Sequence, residues 1–206
     1  MQKIMFNDKY GLTKAVLEGR KTQTRIIIDI DEEELNLFQT IYYNQVFDFL
    51  EGKDLIEAYF DNNPKKIPYK KGDIVAVAQS YKDCGGFMED GTPRWDYISC
   101  IVGNKNAGWS NKMFVKPELM PHQIRMKNVR IERLQDISDE DCLAEGIEFD
   151  AKAKSFYCGM NVLNNSKIWL GCTPREAYAA LIDKVGKKGD WERNPYVFVD
   201  EFKLIK

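Results

Sequence analysis

The chain has 206 residues, with 30 lysines and arginines against 32 aspartates and glutamates and a net charge of -2. That balance excludes a uniformly basic nucleic-acid coat, although a local cationic face remains compatible with it. Hydrophobic residues at 44%, including 4 Trp, 10 Tyr and 11 Phe, exclude a disordered chain and supply enough material for a core without staples.

In chain order, residues 2–6 read as a short strand. Tyr10 to Glu18 follows as an amphipathic helix, with Leu12, Ala15 and Val16 at helical spacing and Gly19 as its C-terminal stop. Thr22 to Ile28 is β-branched and predicted extended. Residues 31–61 read as a helical insertion: Asp31 to Glu34 place acids in a first turn, and Leu35, Phe38, Ile41, Tyr42, Gln45, Phe49 and Leu50 continue a stripe until Pro64 and Pro68 break it. Ile74–Ala78 is a buried strand. Asp90-Gly91 is expected to turn a hairpin into residues 94–102. In residues 123–134, Ile124 and Met126 share one parity while Val129 and Ile131 share the other, so a β-bulge is predicted near Lys127-Asn128. Ser138 caps a short acidic helix that ends at Glu145-Gly146. Residues 147–172 read as irregular and polar. Thr173-Pro174-Arg175-Glu176 opens a strong helix to about Val185, and Tyr196–Ile205 is the last strand. The pattern predicts an α+β fold, a small mostly antiparallel β-barrel with peripheral helices.

The five cysteines, Cys84, Cys100, Cys142, Cys158 and Cys172, form no CxxC pair, and His122 is the sole histidine, so neither a zinc site nor any other cofactor is expected. The first residues lack an apolar leader and no stretch is long enough to span a bilayer. Reduced thiols in the cytoplasm, with no membrane partner, are therefore expected. The common nucleotide-loop and hydrolase signatures are missing, and Asn164-Asn165-Ser166 is read as a chance sequon.

The densest polar cluster is Gly19-Arg20-Lys21-Thr22-Gln23-Thr24-Arg25. Its three cations repel one another and need either acidic partners or an anionic ligand. In an extended chain Thr22 and Thr24 share one face, with Lys21, Gln23 and Arg25 on the other, unless the loop–strand junction lets Lys21 turn toward Thr24. A solvated cationic edge strand is the plain alternative.

Gly19-x-Lys21 after a helix, followed by Thr24, resembles the signature of the ASCH domains, a PUA-like β-barrel family. Lys71-Gly72-Asp73-Ile74-Val75, Val129–Leu134 running on to Ala144-Glu145-Gly146, and Asn194–Val199 resemble further family segments in the family's order. The resemblance implies one decorated domain over 1–206, with insertions near 29–68, 82–122 and 147–191. The family's arginine is expected at position 26, which is Ile26 here; Arg25 stands one place early. The core also resembles the bacterial N4-acetylcytidine amidohydrolases. That likeness implies Lys21 as base, Thr24 as nucleophile and Glu145 as the residue that shuttles a proton or positions water. Beside it stand two other readings: a binding cleft for RNA or a modified nucleoside around Lys21, Thr24 and Glu145, and a non-catalytic protein-interaction module. In the bland reading of the trio, Glu145 is an ion-pair partner for Lys21 or Arg25. For ligand binding the expected contributors are Gly19, Arg20 and Arg25, the rings of Tyr81, Trp95 and Trp109 as stacking platforms, and Lys112, Arg125 and Lys127 for a phosphate backbone.

Overall fold

The computed structural model describes residues 1–46, 49–84, 107–161 and 166–205. The expected hairpin at Asp90-Gly91 and the ring of Trp95 lie outside them. The described residues include two sheets and seven α-helices. The larger sheet joins β1 (Gln2–Ile4), β3 (Ile74–Val77), β4 (Gln123–Arg133), β8 (Tyr196–Leu204) and β2 (Gln23–Ile27), in that spatial order. β1 and β3 run parallel and the other neighbours are antiparallel. The register of β4 against β8 slips between Met126 and Asn128, the position the change of parity marked.

Among the described residues this sheet does not close into the expected barrel; β1 and β2 are its edges. The β2 side is met by a helix instead of a strand. Thr22 N–H donates to Ala144 O at 2.8 Å, at the end of α5 (Asp139–Ala144).

The pleat sorts the two faces. Ile26, Phe198 and Ile131 face one another across β2, β8 and β4, and they pack against Ile56, Tyr59 and Phe60 of α3 (Gly52–Asn62). With α2 (Glu32–Val46), α3 accounts for the helical insertion. The stripe along α2 is only partly buried: Leu35 and Phe38 reach the cluster, while Ile41 stays exposed. The main core gathers Phe6, Leu12, Val16, Val197, Val199 and Phe202 under α6 (Pro174–Val185) and its ring Tyr178. Thr173 and Glu176 form the capping box that opens α6. Two one-turn helices complete the set, α4 (Tyr81–Cys84) and α7 (Asp190–Arg193).

The stretch read as irregular is a second sheet: β5 (Glu148–Asp150), β6 (Ser155–Asn161) and β7 (Ser166–Gly171), all antiparallel. Two register shifts within β6–β7 break the simple alternation, which is why a period-2 pattern is absent from the sequence there. β6 lies against the turn at Asp8–Tyr10 ahead of α1 (Leu12–Leu17). Gly159 has φ +68°, and a Cβ on it would fall 2.4 Å from the Tyr10 carbonyl carbon, so only glycine lets the strand approach so closely. The second sheet thereby becomes one wall of the cleft described next.

Candidate functional site

α1 delivers the cationic segment. It ends in a Schellman turn: Gly19 adopts φ +73° and donates to Val16 O at 3.0 Å, while Arg20 N–H donates to Ala15 O at 2.9 Å. The chain then enters β2 in strict alternation. Lys21, Gln23 and Arg25 are buried, Thr22 is exposed and Thr24 is half-buried.

Each of the three cations has an acidic partner. Lys21, 2% exposed, donates to Glu145 twice, to the carboxylate at 2.5 Å and to the main-chain oxygen at 2.9 Å. Arg25 bridges Glu145 at 3.1 Å, Asp141 at 2.9 Å and Glu132 at 3.3 Å, and also donates to Gln23 at 2.9 Å. Arg20 holds Glu18 at 2.6 Å and Glu148 at 3.1 Å. Arg130 extends the network to Glu132, Asp141 and Glu201.

Glu145 occupies the C-cap of α5, where a carboxylate meets the negative end of the helix dipole. Two cations offset that cost and the cost of burial. Burial by itself lowers the basicity of Arg25, but the Glu145 and Asp141 carboxylates outweigh it and raise the guanidinium above its ordinary value.

Lys21 and Glu145 therefore meet as the sequence implies, and Glu145 pairs with Arg25 as well. Thr24 does not join them: its hydroxyl makes no hydrogen bond to either residue. The reason is the pleat, which puts Thr24 on the other face, in register with Asp200 and, through it, Val129. Asp200 is fully buried, and neither carboxylate oxygen has a hydrogen-bond partner among the described residues. Burial, reinforced by the Glu145 charge, raises its pKa to about 7.

A cleft of about 660 Å³ opens beside the network, between α1 and β6. Thr13, Lys14 and Arg20 line one wall, and Glu148, Tyr157 and Met160 line the other. Gln79 lines it too, and its buried side-chain oxygen has no hydrogen-bond donor among the described residues. Asp8, Glu18, Asp83 and Glu148 supply four carboxylates. Among the described residues all but Asp83 are matched by cations, with Lys112 reaching Asp8 at 2.7 Å; Asp83 accepts from Ser80 at 2.5 Å.

The other expected contributors are dispersed. Tyr81 is 2% exposed and its hydroxyl accepts from Lys116 N–H at 2.8 Å, so its ring belongs to the interior and offers no stacking face. Trp109 is half-buried against the same cluster. Lys112 is occupied by Asp8, Thr13 and the Phe6 carbonyl. Arg125 and Lys127 are exposed on β4, outside the cleft lining. The four described cysteines are free thiols; burial raises Cys84 and Cys142 to about 12 and Cys158 to about 11. Among the described residues no helix is long and apolar enough to cross a membrane.

Gln79 and Tyr157 were not visible as site residues in the sequence. Gln79 sits just past the end of a buried strand with no motif around it, and Tyr157 lies in the stretch that lacks periodicity. No protein-family model, curated protein or solved structure matches the chain.

Proposed function

We propose that the chain is an ASCH-like domain with a PUA-like ancestry to its larger sheet, and that it binds an uncharged modified nucleoside in the cleft between α1 and β6. The order of the resembling segments, from Gly19-x-Lys21 to the closing strand, supports the family reading. The observation that carries the ligand class is the cleft itself: near-balanced charge, the ring of Tyr157, and the side-chain amide of Gln79 in its lining. Side-chain amides read the donor and acceptor edge of a base. Because Arg20, Lys21 and Arg25 are already neutralised by carboxylates, the cationic segment needs no anionic ligand.

Calorimetric titration with cytidine and N4-acetylcytidine tests this reading. Saturable binding that weakens roughly five- to tenfold in Gln79→Ala is expected. Equal affinity in the variant would remove Gln79 from the site.

Amide hydrolysis is a second reading, supported by the meeting of Lys21 and Glu145, two of the three residues that the family likeness assigns to it; to act as the base, Lys21 would first have to give up its proton. The reaction requires Thr24, or water, to reach the acyl carbon. Release of cytidine from N4-acetylcytidine, stopped by Lys21→Ala, would establish it; no turnover at high enzyme concentration would reject it.

A further inference from the structure

The outward face of the second sheet carries an aromatic platform next to the cleft. Register places Glu148 opposite Tyr157 and Tyr157 opposite Trp169, so these side chains share one face. Phe156, Ile168 and Leu170 pack against the main core from the sheet's other side. The rings of Tyr157 and Trp169 meet edge to face with centres 5.8 Å apart, and Trp169 remains 45% exposed. Lys167 Nζ stands 4.2 Å from the Tyr157 ring centre and 5.7 Å from that of Trp169.

The two carboxylates on this face are spoken for, Asp150 by Lys167 and Glu148 by Arg20. The β5–β6 turn then adds Lys152 and Lys154, both exposed and neither ion-paired among the described residues. The uncompensated charge on the β5–β6 turn is thus positive, in the same sheet that presents the open indole ring.

We infer that this face binds single-stranded nucleic acid, with a base stacked on Trp169 and phosphates at Lys152 and Lys154. The inference rests on the nucleoside reading of the cleft: Tyr157 belongs to both surfaces, so the platform would take nucleotides flanking the one in the cleft. A stacked base has to be unpaired, which selects single strands over duplexes.

The test uses the full chain and a fluorescein-labelled single-stranded RNA of mixed sequence, with its duplex as control, read by fluorescence anisotropy. Trp169→Ala should weaken RNA binding about tenfold, and Trp169→Phe, which keeps a ring, should retain most of it. Lys152→Ala with Lys154→Ala should flatten the salt dependence by about 1.4 in the log–log slope. Affinity for free N4-acetylcytidine should stay unchanged in all three. Wild-type affinity for RNA in Trp169→Ala, equal binding of duplex, or no RNA binding by a protein that still binds the nucleoside would each overturn the proposal. Loss of nucleoside binding in the wild-type chain would instead remove the reading beneath it.

Discussion

Lys21 has an ammonium that is almost wholly withdrawn from water, and two of its three N–H groups are spent on Glu145. Such a lysine is a structural anchor first, because removing Glu145 would leave a buried charge uncompensated. Asp200 is the opposite case, a buried carboxyl with no hydrogen-bond partner among the described residues. Its pKa lies near 7 in the folded chain against 3.8 for the ordinary group. Below about 4 both folded and unfolded chains hold the proton, and Asp200 gives no pH dependence. As pH rises, the unfolded chain releases its proton while the folded chain keeps it until about 7. Stability therefore falls across that window and levels off above it. Asp200→Asn should abolish this component. Denaturation measured against pH should show the variant gaining on the wild type by on the order of 3 kcal/mol from acid to neutral pH. A constant difference between the two proteins across that window would show that Asp200 does not hold its proton. The comparison must be between proteins, since groups such as Asp150, lowered to about 2 chiefly by its hydrogen bond to Lys167, pull the whole curve the other way.

At the scale of elements, the contact between β6 and the turn before α1 decides the shape of the cleft. Gly159→Ala places a Cβ against the Tyr10 carbonyl in a left-handed conformation, so β6 must move off the turn. A loss of roughly 2–4 kcal/mol in stability is expected, together with weaker nucleoside binding; unchanged melting and binding would mean the two walls are not held together there. Much of the larger sheet was legible in the sequence because its signals are local. The β4 bulge follows from a change of parity between Met126 and Val129, and α6 follows from its capping box. The second sheet was not legible, because its register slips twice and its outward face mixes Glu148, Tyr157, Lys167 and Trp169 in no simple period. Site residues divide the same way. Lys21 and Glu145 could be paired from a family pattern, and the alternation that separates Thr24 from them was already written in residues 21–25. Tyr81 was misplaced as a stacking platform because an aromatic residue bears no sequence mark of whether its ring ends in the core or on the surface.

At the scale of the molecule, a net charge of -2 is distributed unevenly. The cationic segment at Arg20, Lys21 and Arg25 is absorbed by carboxylates from α1, α5, β4 and β5, so that most of this charge is internal to the fold. The cleft is left nearly neutral, and the free positive charge beside it belongs to the rim of the second sheet. This division of labour predicts that a free nucleoside and a nucleic-acid strand respond differently to salt. Titration of N4-acetylcytidine into the full chain at low and high ionic strength tests the central claim most directly. The account predicts saturable one-site binding whose affinity is the same at both, because no phosphate contact or counterion release is involved. No saturable binding, or an affinity that falls steeply with salt, would contradict it.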